Sequence, residues 1–373
     1  MGYTVGVLYN LRRRNGVDIA EDSSGFDEED DEPPDSGAEY DSESTVLAVA
    51  EALREAGHRP VCIEGDETFF EAIKNHPIDI AFNMCEGLRG ESRESHIPSV
   101  LEMLDIPYTG SGVLSLALSL DKPAAKKMFV YHGVNTPRFQ VFSPGVSPFG
   151  TDLRFPCFVK PAHEGSSMGV TPSSKVYDEV DLAREVARIH RLYKQEALVE
   201  EYIDGREFTV GILGNEEPRF LPIMEINFSK CPEPHKGIYS RLFKEQWSDD
   251  SYYLCPAPID GDLAEALKTI ALSAFRALDC RDVGRVDIRM DCDGVVYVLE
   301  INPLPGLAPG FSDLPRMAEV GGMSYFTLVN TILEHAIERY ARMGREPFVR
   351  ARRVFDAGLI AERMEFEAVS KSA

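Results

Sequence analysis

The chain has 373 residues, 43% hydrophobic and 27% charged, with a formal net charge of −23. That balance fits an ordinary globular protein of two or three domains and excludes a fibrous or wholly disordered chain. An acidic balance also argues against nucleic acid as a partner, because little on the surface would neutralise a phosphate backbone. No apolar run reaches the roughly 18 residues of a membrane span, and MGYTVGVLYN lacks a secretion signal's basic n-region and long apolar core. The seven cysteines form no C-x-x-C pair, the pattern of reduced thiols. A cytoplasmic protein with no membrane partner is expected.

In chain order, YTVGVLYN is a short strand with Val5 and Val7 on one face. Thirteen acids and no lysine or arginine lie between Asp18 and Glu43, in a Pro/Gly/Ser-rich stretch, so 18–43 is expected to be a disordered acidic loop. Val46, Leu47, Val49, Ala50 and Leu53 form a helical stripe ending at Gly57. RPVCIEG and IDIAFNM are strands, and SHIPSVLEMLD is helical again. This alternation predicts an α/β domain with a parallel sheet over 1–118.

Asp121 is a candidate N-cap with Pro123 in the first turn, opening a helix that stops at Gly133. The pattern then changes. PRFQVF, PCFVKP, ALVEEYI, REFTVGILG and RFLPIMEI read as strands, with a helix near 178–193, predicting an α+β segment with an antiparallel sheet. The bounds are 119–213 for this central unit and 214–345 for a C-terminal unit. The latter holds a helix from Asp262 to Leu278, a strand pair and a helix near 324–343. Residues 346–373 read as an appended tail.

The strand pair RVDIRMDCDGVVYVLEIN carries the first chemical signal. Asp293-Gly294 is a two-residue hairpin signal. Counting outward from it sets Asp287 opposite Glu300 and Arg285 opposite Asn302 on one face. Val286, Ile288, Leu299 and Ile301 then fill the other. Opposed carboxylates repel, and a divalent cation removes the penalty. Asp, Glu and an Asn amide are hard oxygen ligands suited to Mg²⁺ held jointly with phosphates. Arg285 could bind a phosphoryl group or oxyanion, and the turn-rich PLPGLAPG could present the Gly306 N–H. The plain alternative is a solvated hairpin with incidental charges.

FVKPAHEGSSMGV carries the second signal. Gly165-Ser166-Ser167-Met168-Gly169 matches the G-x-S-x-G elbow of serine hydrolases, but that motif needs a helix directly behind it. VTPSSK cannot supply one. Walker A and G-x-G-x-x-G are both absent. A loop of small residues exposes backbone N–H groups to an anion, Lys160 supplies a point charge at a strand end, and Lys122 could supply a second. Together with the hairpin, these features point to nucleotide-dependent phosphoryl chemistry.

With IPYTGSGVLSLALSLDK, FVKPAHEGSSMGV, LVEEYIDGREFTVGILG, GRVDIRMDCDGVVYVLEINPLPG and the CPA at 255–257, the chain resembles the ATP-grasp superfamily, in its D-alanine–D-alanine ligase-like branch. The resemblance runs from about Phe82 to Leu333 and more weakly through the first domain. It implies an ATP- and Mg²⁺- or Mn²⁺-dependent carboxylate–amine ligase with two ions per site. A carboxylate would take the γ-phosphoryl group of ATP, and an amine would displace phosphate from the acyl phosphate. By this resemblance Lys122 and Lys160 are ATP-phosphate lysines, and Ser166 and Ser167 lie in the loop over the phosphates. Glu200 and Glu207 hold adenine and ribose, while Asp287, Glu300 and Asn302 are metal ligands. Arg285 and Gly306 stabilise the acyl phosphate and tetrahedral intermediate, and Ser312 falls near the second substrate's carboxylate. Lys244 is the phosphate lysine of a lid over 229–253.

The substrate end departs from the branch. The tyrosine that should follow the lid lysine is replaced by Glu245 and Gln246. The N-terminal glutamate is matched to Glu39, and the His-Gly loop is replaced by FNMCEGLRGESRE with Glu86 and Arg93. Arg93, Arg241 and Lys230 are candidates for holding substrate carboxylates. The expectation is a peptide-bond-forming ligase for other amino-acid-like substrates, with a homodimer among the expected assemblies. The alternatives are a true D-alanine–D-alanine ligase and a non-catalytic ATP-binding protein.

Overall fold

The structure is a computed structural model and describes residues 2–12, 33, 35–233, 235–247, 249 and 251–345. Most of the acidic stretch and the tail 346–373 therefore lie outside the described residues. The part of 18–43 that is described is ordered, contrary to expectation. Residues 35–39 form turns, Leu11 bridges Asp41, and the Ser42 hydroxyl caps a helix, α1 (Glu43–Glu55). Asp35 anchors this piece by accepting the Tyr193 hydroxyl and the Gly169 N–H, each at 2.8 Å.

Strand β1 (Thr4–Tyr9) lies between β2 (Arg59–Glu64) and β3 (Ile80–Asn83) in a three-stranded parallel sheet. Val5 and Val7 face α1, and Leu8 faces the other way, towards α2 (Phe69–Asn75) and α3 (His96–Met103). The predicted alternation of faces is thus present. Helices α4 (Val113–Leu120) and α5 (Lys122–Tyr131) follow, α5 capped by Asp121 through the Ala124 N–H at 2.8 Å.

The next four strands are β4 (Phe139–Phe142), β5 (Cys157–Pro161), β6 (Lys175–Val176) and β7 (Ala197–Glu201). They form an antiparallel sheet of order β4-β7-β5-β6, and α6 (Glu179–Tyr193) packs its apolar face on it. β8 (Gly205–Leu213), placed by the sequence reading in the central unit, belongs instead to a second, larger sheet. RFLPIMEI divides at Pro222 into β9 (Arg219–Phe220) and β10 (Met224–Ile226), since proline cannot donate to a ladder. After α7 (Arg241–Gln246), β11 (Tyr253–Leu254) and α8 (Gly261–Ala277) come β12 (Val283–Asp291) and β13 (Val296–Asn302). The larger sheet runs β11-β10-β8-β12-β13, with β9 on β8.

Helices α9 (Asp313–Val320) and α10 (Tyr325–Arg342) close the described chain. Leu328, Val329, Ile332 and Leu333 of α10 share one core with Val46, Val49 and Leu53 of α1. Asn330 donates to the Ala52 carbonyl at 3.0 Å across that contact. Below it Asp282, 0% exposed, pairs with Arg339 at 2.7 Å and accepts the Gly110 N–H at 2.9 Å. The N-terminal sheet is thereby joined to the larger sheet by apolar packing and a satisfied buried ion pair. Among the described residues no helix is long and apolar enough to cross a membrane, and all seven cysteines are free thiols.

Candidate active site

The smaller and larger sheets face one another across a cleft of about 880 Å³. Each strand contributes through its alternation. β5 brings Phe158 and Lys160, β7 brings Glu200, β8 brings Glu207, and β12 brings Arg285, Asp287 and Arg289. Lys122, in the first turn of α5, enters beside them.

The hairpin register holds at the critical pair for a reason the sequence reading did not contain. The turn is not two residues long. Gly294, at φ +80°, closes a three-residue loop in which the Val295 carbonyl accepts the Asp291 N–H at 3.0 Å. This pairs Met290 with Val296 and Ile288 with Val298, one step off the expected register. A bulge at Leu299 restores the step, so Asp287 does oppose Glu300 and Arg285 does oppose Asn302. Because of the bulge, Leu299 lines the cleft with Glu300 instead of filling the opposite face.

Four cations converge on Glu300. Lys122 stands 3.7 Å away and Lys160 4.0 Å away. Burial would raise the Glu300 carboxyl, but Lys122, Lys160, Arg285 and Lys244 pull it down to about 2. Burial also opposes the charge on Lys160, yet Glu200, at 3.1 Å, and Glu300 hold its amine above the usual value. Lys244, from α7, is pushed the other way, first by burial and then by Arg285. Its amine stands 4.6 Å over the Tyr239 ring.

Asp287 is held from three sides. It accepts Arg285 Nη2 at 2.8 Å, Thr209 Oγ1 at 3.0 Å and Asn302 Nδ2 at 3.0 Å. Two carboxylates and a carboxamide are a donor set that fits a hard divalent cation shared with phosphate oxygens. The repulsion expected between the opposed carboxylates is already offset by Arg285 on one and the lysines on the other. No group of three or more His, Cys, Asp or Glu side chains forms a metal cage among the described residues.

The bare loop after β5 folds over this centre. Ser166 and Ser167 have φ of +45° and +59°, a left-handed conformation that costs a non-glycine residue about 1–2 kcal/mol. Ser167 donates to the Tyr239 carbonyl at 2.9 Å, tying the loop to the segment 229–253. Behind it come a 3₁₀ turn, Pro172–Ser174, and β6, so the helix a nucleophile elbow requires is absent.

Two further chambers continue from the cleft. One of about 630 Å³ shares Lys122, Ser166, Lys244, Arg285 and Glu300 with it and adds Asn302 and Gly306. A third, of about 500 Å³, shares Glu39, Glu86 and Gly306 with the second. A Cβ at Gly306 would lie 2.8 Å from Ser312 Oγ, which accepts the Ala308 N–H at 3.1 Å, so Ser312 stands directly behind the loop.

Of the three cations suggested for substrate carboxylates, none lines the cleft or its inner chambers. Arg93 is already engaged by the protein, paired with two carboxylates: it donates to Glu39 at 2.6 Å, Glu164 at 3.0 Å and the His163 carbonyl at 2.8 Å. Lys230 is exposed on a 3₁₀ turn, and Arg241 pairs with Glu245 at 2.7 Å; neither lines the cleft. Glu39 does reach both inner chambers, although it lay in the stretch expected to be disordered.

The sequence reading also missed residues. Lys126, 1% exposed, pairs with Glu200 and donates to Thr136 at 2.6 Å; burial lowers its amine to about 8. Its spacing of four from Lys122 put it on the same helical face, a signal that was available. Arg289 pairs with Glu207 at 2.9 Å and follows from strand alternation after Arg285 and Asp287. Glu94 and Asp41 had no such signal.

A family model described as the D-ala D-ala ligase C-terminus matches residues 133–334. An uncharacterized protein of Sinorhizobium fredii, y4sG, is 39% identical over 301 residues, covering 79% of this chain and 87% of its own. A D-alanine–D-alanine ligase of Syntrophotalea carbinolica is 37% identical over 292 residues, covering 78% and 90%. In fold, the chain is similar to a D-alanine–D-alanine ligase from Bacillus anthracis complexed with ATP. That likeness has a TM-score of 0.68 at 24% identity and covers 92% of this chain and all of the other.

Proposed function

The chain belongs to the D-alanine–D-alanine ligase family, and we propose that within it the protein is an ATP-dependent carboxylate–amine ligase for amino-acid-like substrates. One observation carries the reading: Lys122, Lys160, Lys244 and Arg285 converge on Glu300 directly opposite Asp287. Such a cluster holds a triphosphate and the charge that develops as its terminal group moves.

The substrate carboxylate oxygen attacks the γ-phosphorus of ATP, and the bond to the β–γ bridging oxygen breaks, releasing ADP. The neutral amine of the second substrate attacks the acyl carbon. Collapse of that adduct expels inorganic phosphate, and the amine loses its proton to solvent. Lys122, Lys160 and Lys244 orient the phosphates. Arg285 and the Gly306 N–H are the groups for the oxyanion. Asp287, Glu300 and Asn302 would hold Mg²⁺, or Mn²⁺ in its place, which neutralises phosphate charge when bound. Glu200 and Glu207 stand in the cleft as the candidates for the nucleoside, their carboxylates oriented by Lys126, Lys160 and Arg289.

The test is ADP release with Mg-ATP and pools of D- and L-amino acids and dipeptides, beside Asp287→Ala and Glu300→Ala variants. Amino-acid-dependent release that vanishes in both variants supports the ligase. Dipeptide formation from D-alanine alone would reassign the substrate to that of the Syntrophotalea carbinolica relative. Nucleotide binding with no stimulated release would leave a non-catalytic ATP-binding protein.

A further inference from the structure

The third chamber is unusual in its charge. Glu39, Asp41 and Glu86 line it, and Glu94 joins Glu39 and Glu86 on the wall of the second. The cation paired within this group is Arg93, which Glu39 shares with Glu164. Among the described residues Asp41, Glu86 and Glu94 have no ion-pair partner. Much of the remaining wall of the third chamber is apolar, with Phe82, Leu307 and Ile332 on it. Four carboxyls gathered against an apolar surface repel one another and lack solvation. Burial, then Glu94, Glu39 and Asp41, push the Glu86 carboxyl well above its usual range.

A second observation points to an occupant. Asn83, 5% exposed, lines the same chamber, and its amide nitrogen has no hydrogen-bond partner. Its oxygen is already committed, accepting the Cys85 N–H at 3.3 Å, which fixes which end is the free donor. A buried donor left unpaired costs about 1–3 kcal/mol, so the free amide marks a place for the hydration water of a polar occupant, whose oxygen accepts from it.

The chambers are ordered along one path. The reacting carboxylate belongs in the second, beside Lys122 and Arg285. The α-ammonium group of an amino acid then meets Glu39, which borders both inner chambers. Its side chain extends into the third chamber, past the apolar wall, towards Asp41 and Glu86. Arg93 already offsets Glu39, and a single α-ammonium does not supply partners for Asp41, Glu86 and Glu94 as well. We infer that the activated substrate is a basic amino acid, whose side chain carries a second cationic nitrogen into the chamber formed by Glu39, Asp41 and Glu86.

This inference rests on the ligase reading, and the experiment separates the two. ADP release is measured with lysine, ornithine and 2,4-diaminobutyrate, in both configurations, against the neutral norleucine, norvaline and 2-aminobutyrate. The expected result is a kcat/KM at least about tenfold higher for one basic member than for its neutral counterpart. Glu86→Gln, nearly isosteric, is expected to collapse that ratio by raising KM for the basic substrate more than for the neutral one. Asp41→Asn repeats the test should Glu86→Gln melt early. ADP release with neutral amino acids only would overturn the inference and leave the ligase standing. Release only with amino acids outside this set would likewise overturn the inference alone, whereas no ADP release with any amino acid in the pools would overturn both.

Discussion

Replacing Glu300 by glutamine removes the single charge on which four cations converge. Its carboxyl is drawn from the ordinary 4.5 to about 2, and the side chain is only 23% exposed, so screening by solvent is limited. That lowering corresponds to about 3 kcal/mol. The sign follows from the depression: the unfolded chain takes up the proton first as acid is added. The stabilisation is therefore complete above about pH 4.5 and drains away as pH falls towards 2. Urea unfolding of the wild type and Glu300→Gln should differ by about 3 kcal/mol at pH 7 and by about 2 kcal/mol at about pH 3.5. A gap that stays constant or grows on acidification would refute the argument. So would the absence of a gap at pH 7, since four cations would then need no central anion.

Three further outcomes can be checked on the same protein. Lys126→Met leaves buried Glu200 with Lys160 alone; breaking such a pair costs about 3–5 kcal/mol, and the retained partner puts this case near 3, measurable by urea unfolding. The same variant should raise KM for ATP about tenfold in the ADP-release assay, because Glu200 loses one of its two orienting contacts. Gly165→Ala would drive a Cβ into the Glu39 carboxylate, so KM for the amino acid should rise about tenfold or more while KM for ATP changes less.

The features legible in the sequence were those governed by a short period. Strand–helix alternation up to residue 103 gave the parallel sheet, and residue alternation gave the inward face of β12 with Arg285, Asp287 and, unread, Arg289. Lys122, with Asp121 capping its helix, and Lys160 at a strand end were equally local. The opposed pair Asp287 and Glu300 was reached through two compensating departures, a turn one residue longer than expected and a bulge at Leu299. Hairpin counting carries no information about bulges, so agreement at this pair did not extend to Leu299. Composition misled at 35–43. Acidic and apolar-poor, that piece is ordered because Asp35, Glu39 and Asp41 find partners or chambers in distant parts of the chain. The seven-residue α2 offers too few turns for a period to stand out. Charge relations between Glu86, Glu94 and Asp41 exist only after folding has brought their segments together.

The shared core of α1 and α10 has a consequence for how the protein is made. Ala52 and Asn330, joined across that core, are 278 residues apart. At roughly 5–20 residues per second, a ribosome needs about 14–56 s to travel from one to the other. Through that interval the apolar stripe of Val46, Val49 and Leu53 has no α10 to cover it. The N-terminal sheet can form early, but its outer helix face stays open until nearly all of the described chain has emerged. Until α10 docks, that face is transiently exposed apolar surface of the kind that invites aggregation and that chaperones cover.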